Sequence, residues 1–274
     1  MPKIPTLEEM LKAGVHFGHR TSRWHPKMAP YIFGEKGGVH IIDIQKTQEM
    51  LNEALAYVTS VTANGGTVLF ISTKGQVADL VKEQALAAGM PFVNTRWLGG
   101  TFTNFSEIQK LIKNYLDLKD KREKGELKKY TKLEQLQFDR RIDELDEKIG
   151  GMSSLTKLPD AVFVLDIRFD KTAVVEAKKR GITIIGVCDT NVNPARVDYV
   201  IPANDDSVRS LAMITTLVAE AAKEGTAKRT AAPAKESGKT EDDVDVTKTA
   251  KETVDDLDDA IKDQLAREKE ASKE

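Results

Sequence analysis

The 274-residue chain has a single cysteine, few aromatics (6% Phe, Trp and Tyr) and almost no net charge, 41 basic residues against 43 acidic ones. One thiol excludes a disulfide framework and any zinc site built on paired cysteines. Cys188, at the end of an apolar run in GVCD, is expected as a small core residue. No apolar run approaches the ~20 residues of a membrane helix, and the opening MPKIPTLEEM has no signal-peptide core. A cytoplasmic protein of a reducing compartment is expected. The GxGxxG and GxxxxGKS/T phosphate cradles and the GxSxG nucleophile elbow are also missing, so the commonest catalytic signatures are absent.

Near-neutrality taken whole argues against a nucleic-acid binder. The charge is unevenly placed, however. Residues 225–274 contain no aromatic, ten basic and fourteen acidic residues, leaving 31 basic and 29 acidic in 1–224. A segment this polar cannot offset its ordering entropy, so 225–274 is expected to be a disordered acidic tail. Within it Val254, Leu257, Ile261 and Leu265 recur at helical spacing, a stripe that could fold on a partner. The first 42 residues lean the other way, with six basic residues, three acidic ones and all four histidines.

Short, β-branched-rich runs predict buried strands at Val39–Ile42, Thr67–Ser72, Phe92–Asn94, Ala161–Leu165, Thr183–Val187 and Val197–Ile201. Helical periodicity covers Thr47–Val61, Gln76–Ala88, Thr172–Arg180 and Met213–Ala222. This alternation predicts an α/β body over 1–224, built on a parallel sheet covered on both faces. Residues 104–150 break the rhythm. Two capping-box signatures, Asn104 with Glu107 and Thr131 with Glu134, open two long helices with apolar stripes that include Leu133 and Leu136. They predict an antiparallel helical hairpin inserted as an arm.

The densest chemical signal is HFGHRTSRWHPKMAPYIFG, 16–34, where Arg20, Arg23 and Lys27 interleave with Phe17, Trp24, Tyr31 and Phe33. Cations neutralise phosphates and planar side chains stack on bases, the combination irregular RNA requires. Asn94–Gly100, with Arg96 and Trp97, forms a second patch after a strand. Both tryptophans could equally be core residues. Lys121, Lys128 and Lys129 of the hairpin are further candidate RNA contacts. Aspartates mark several strand ends, where an open parallel sheet usually binds ligands. His19, Asp189 and Asp205 could hold one divalent cation, zinc or magnesium, although helix caps and turn formers account for such residues more simply.

AGVHFGHRTSRWHPKM (13–28), RWLGGTFTN (96–104), LPDAVFVLD (158–166) and DTNVNPARVDYVIPANDD (189–206) resemble, in order, the bacterial small-subunit ribosomal protein S-two family. The resemblance covers nearly all of 1–224 and implies a flavodoxin-like doubly wound sheet with the helical hairpin, a coiled coil, inserted in it. It also implies a non-catalytic part in the small ribosomal subunit. That part is contact with ribosomal RNA at the head–body junction and help in docking the messenger-RNA-delivering ribosomal protein S-one. The alternative is a small-molecule enzyme using Asp166 or Asp189 as acid or base in the strand-end crevice, a choice that rests on fold analogy.

Overall fold

A computed structural model describes residues 2–231; the tail expected beyond them, with its Val254–Leu265 stripe, lies outside the described residues. Among the described residues, seven α-helices and eight strands follow in chain order: α1 Leu7–Ala13, β1 Phe17–Arg20, β2 Ile32–Lys36, β3 Val39–Ile42, α2 Ile44–Ala63, β4 Val68–Ile71, α3 Ala78–Ala88, β5 Phe92–Val93, α4 Phe105–Glu123, α5 Lys132–Ile149, β6 Ala161–Val164, α6 Lys171–Arg180, β7 Thr183–Cys188, β8 Tyr199–Pro202 and α7 Val208–Ala231.

Five strands form one parallel sheet in the order β5-β4-β6-β7-β8. Counted within the sheet this is 2-1-3-4-5, the order of flavodoxin-like doubly wound folds. Both faces are covered. Val68, Phe70, Phe163, Leu165, Ile185 and Ile201 pack with α1, α2, α3 and α7, while the alternate residues Leu69, Ile71, Val162, Val164 and Ile184 pack with α4, α5 and α6. Two buried faces explain why these strands are continuous apolar runs rather than alternating ones.

Val39–Ile42 is a strand as expected but not part of this sheet. It pairs antiparallel with β1 and β2 in a separate three-stranded sheet. Gly37 and Gly38, at φ 63° and 76°, form the tight turn that joins β2 to β3. Three elements of the N-terminal region were not foreseen: α1, β1 and β2. The Thr6–Glu9 capping box that opens α1 is complete.

The arm is two helices joined through Gly125 and a short 3₁₀ turn, Glu126–Lys129. Tyr115 donates to Asp146, and Arg122 lies 3.8 Å from Asp139 and 3.7 Å from Asp143, so residue numbers run in opposite directions along the pair. Ile108 and Ile112 are buried with Ile142, Leu145 and Ile149. Leu133 and Leu136, expected on the apolar side, are exposed. The Thr131–Glu134 capping box forms, but the one expected at Asn104 does not: Asn104 accepts from Ser106, and Glu107 pairs with Lys110 at 2.9 Å.

Helix α7 continues past the expected boundary at Gly225 as far as Ala231. Gly225 is buried where α7 crosses α2; a Cβ there would stand 1.9 Å from the Thr62 hydroxyl and 2.5 Å from the Thr59 carbonyl. Alanine is the better helix former by ~1 kcal/mol, but forcing two helices apart costs ~1–3 kcal/mol. Gly225→Ala is therefore expected to lower Tm by up to about 8 °C in a thermal melt; a rise would show that propensity outweighs the contact.

Candidate nucleic-acid interface

Segment 16–34 is held against the end of β7 by three interactions with Thr190. The His19 N–H donates to its hydroxyl at 2.9 Å, the His25 N–H donates to its carbonyl at 2.8 Å, and Gly18 passes so close that a Cβ would lie 2.6 Å from its methyl. Pro26 starts a 3₁₀ turn, Pro26–Tyr31, in which the His25 ring accepts from the Lys27 N–H at 3.2 Å and Met28 is completely buried. With Met28 as anchor, Arg20, Arg23 and Lys27 are left exposed, and none forms an ion pair with another described residue. Trp24 is 40% exposed, its ring 5.3 Å from that of His40. The structure thus gathers four expected residues on one segment anchored to the sheet.

The others lie apart. Arg96 is exposed beyond β5, at the opposite edge of the sheet from β8. Its neighbour Trp97 turns inward, donating to Glu176 at 3.3 Å with its ring edge-on to Phe102. Glu176 also accepts from the N–H groups of Gly100 (2.8 Å), Phe102 (3.0 Å) and Thr103 (3.2 Å). Burial alone would raise its pKa, but these donors outweigh it and hold the carboxyl below its usual range. The RWLGGTFTN block is thereby explained as a loop wrapped around a buried carboxylate. Lys121 is already paired with Asp117 at 2.7 Å, whereas Lys128 and Lys129 are exposed, Lys129 lying 5.4 Å above the Tyr130 ring.

Behind this segment the strand ends converge on an acidic cluster. His19 Nδ1 lies 3.1 Å from Asp189, and its Nε2 lies 3.5 Å from Asp206. Ligand atoms of His19, Asp205 and Asp206 all lie within 4.8 Å of one another. The expected trio of His19, Asp189 and Asp205 is thus regrouped. Both Asp189 oxygens are engaged, one by Thr190 and the other by His19 and the Asp205 N–H, so Asp189 orients the imidazole and Asp206 takes its place facing Nε2. Asp166 holds the Arg168 and Phe169 N–H groups at 2.9 and 2.8 Å, shaping the turn into α6.

Lys74, which the sequence did not single out, lies at the centre. Its ammonium reaches Asp166 at 3.1 Å, Asp206 at 2.9 Å and the Asp205 carbonyl at 2.7 Å. Its position after β4, at the same edge as the aspartates, was the available signal. Its hydrogen bonds to Asp206 and Asp166 more than offset burial and raise its pKa. The hydrogen bond to Asp189 raises that of His19, and Lys74 lowers that of Asp206. Burial, reinforced by Asp189 and Asp166, pushes Asp205 up to about 7.

The family model described as ribosomal protein S2 matches residues 10–225. The small ribosomal subunit protein uS2 of Chloroflexus aggregans is 44% identical over 229 residues, 84% of this chain and 96% of the relative. The chain belongs to the ribosomal protein S2 family. This family is structural rather than catalytic. The pairing of Asp166 and Asp189 with Lys74, His19 and backbone donors fits that role, each carboxylate serving the fold. Among the described residues no helix is long and apolar enough to cross a membrane.

Replacing Lys74 by methionine would leave its carboxylates without their cation, an expected loss of ~3–5 kcal/mol near pH 8. Asp205 titrates at about 7 in the fold and at about 4 when unfolded. Its protonated form therefore contributes stability that is full below about pH 4 and lost as the pH rises through about 7. Acidification from pH 8 to 5.5 should thus recover more stability in Lys74→Met than in the wild type. Equal losses at both pH values in denaturant titrations would contradict this.

Proposed function

We propose that the protein is a non-catalytic constituent of the small ribosomal subunit that binds small-subunit ribosomal RNA, at the head–body junction, through Arg20, Arg23, Trp24 and Lys27. One observation carries this: three exposed cations, unpaired among the described residues, flank a half-exposed tryptophan on a segment anchored to the sheet. Cations on a segment whose backbone is already held bind phosphates without the entropy loss of ordering a loop, and such contacts position a protein more than they read bases. Arg96, Lys128 and Lys129 are secondary contacts, with Lys121 weaker because Asp117 already neutralises it. Membership of the S2 family and the small-subunit name of its relative support the assignment, which places the protein in the cytoplasm on ribosomes.

Help in docking ribosomal protein S-one belongs to the same reading. A protein partner is supported by an apolar groove of about 320 Å³ lined by Leu7, Leu11, Phe33 and Ile41, with Phe33 79% exposed.

Replacing Arg20, Arg23 and Lys27 together by alanine should flatten the log–log salt dependence of RNA binding by about 2–3 units, roughly 0.7–0.9 per phosphate lost. Undiminished subunit occupancy across a salt series would sink the assignment.

The cluster of His19, Asp205 and Asp206 is proposed to hold one divalent cation, zinc before magnesium because imidazole is a donor. Zinc at pH 7 should raise the Tm of the wild type but not of Asp206→Asn. The absence of a shift in the wild type would leave Lys74 and His19 as the cluster's counter-charges and overturn the cation site.

A further inference from the structure

Helix α6 carries a third cationic surface, one that neither the sequence motifs nor the family blocks mark. At 100° per residue, Lys171, Val175, Lys178 and Lys179 fall on one side and Ala173, Glu176 and Ala177 on the other. The first set is exposed and the second buried. The helix's one carboxylate, Glu176, faces inward and is saturated by the 100–103 loop, so nothing on α6 neutralises the outward lysines.

Two further observations extend the surface. Lys178 donates to the Ala195 carbonyl at 2.9 Å, which brings Arg196 alongside Val175 and Lys179 around an open groove of about 360 Å³. The turn Pro194–Arg196 in turn packs against Pro26–Tyr31, the turn that carries Lys27. A cationic band therefore runs from Lys27 across Arg196 to α6. Lys178 and Lys179 alone would be explained by the negative end of the helix dipole, but Lys171 and the exposed Arg168 sit at the positive end, where a cation is disfavoured. Between these two, Phe169 is 59% exposed. Lys171 and Arg168 thus gain nothing from the dipole of their own helix, and the ring between them is open to solvent.

We propose that the α6 face, with Lys171, Lys179 and Arg196 as its phosphate contacts, is a second RNA-binding surface continuous with the Arg23–Lys27 patch. It rests on the RNA-binding reading above. Lys171 and Lys178 stand about 10 Å apart along the helix, spaced to follow a backbone rather than to grip one phosphate. Lysines act here as point charges, so little sequence discrimination is expected. Phe169 supplies a platform for an unstacked base.

The full chain with Lys171, Lys179 and Arg196 replaced by glutamine tests this. All three are exposed and form no ion pair with another described residue, so the melt should match that of the wild type, and Lys178 is kept because it holds Ala195. The salt slope of binding to small-subunit ribosomal RNA should fall by about 2–3 units. An unchanged slope, in a preparation where the Arg20/Arg23/Lys27 alanine variant does lose slope, overturns the α6 surface and leaves the RNA reading intact. No loss in either variant overturns both. In assembled subunits, a photoreactive benzoylphenylalanine at position 175 should cross-link to RNA. Cross-linking to a protein instead, or no cross-link, would show that the face meets a protein partner or water.

Discussion

Much of this molecule's surface chemistry depends on how Thr190 holds the N-terminal segment at the end of β7. Its hydroxyl receives the His19 N–H, its carbonyl receives the His25 N–H, and its methyl group leaves room only for glycine at position 18. From that one docking point follow three consequences. His19 is delivered to the aspartates, Met28 is driven into the core, and the cations on either side of Trp24 are turned outward. Main-chain N–H donors fix the segment more firmly than pairs of long charged side chains would, because side-chain entropy and salt screening weaken them less.

Charge is segregated by depth around this point. The strand ends gather Asp166, Asp189, Asp205 and Asp206, which would repel one another if left alone. Lys74 and a His19 held toward its protonated form offset much of that charge from within. Because the compensation is internal, Arg20, Arg23 and Lys27 are not consumed by the acids behind them. The hairpin behaves differently: Lys110, Lys121, Lys124 and Lys148 pair along their own helices, so its many charges present little net field. Counting lysines would overstate the arm as an RNA surface.

The parallel sheet was legible because burial on both faces leaves runs such as VLFI and AVFV that need no partner to be recognised. The helices beside them followed from periodicity. What escaped depended on residues far away in the chain. Val39–Ile42 has the composition of a buried strand, yet only its pairing with β1 and β2 decides which sheet it joins. Trp97 and its glycines look like an exposed patch until Glu176, more than seventy residues later, is seen to bind their loop. Lys74 lay in an unremarkable strand-end loop, and its importance appears only when four strand ends meet. Gly225 has the look of a linker glycine, and only the crossing of α2 by α7 shows why no side chain fits. Local propensity carries the first kind of information and has no access to the second.

Near-neutrality is compatible with the proposed RNA binding on this scaffold for a definite reason. Counterion release depends on cations that reach phosphates, not on the sum over the chain. The described body spends Lys74 internally, Arg180 on the Phe102 and Thr103 carbonyls, and several hairpin lysines on neighbouring carboxylates. Of the cations left unpaired among the described residues, Arg20, Arg23 and Lys27 share one segment beside Arg196, while Arg96, Lys128 and Lys129 lie apart from it. A small surplus so arranged is worth more to a polyanion than a larger one spread evenly, because phosphates recur along a strand and reward cations that lie along a line. The same concentration leaves other faces free, among them the Leu11–Phe33 groove, where an apolar surface rather than charge would set the partner.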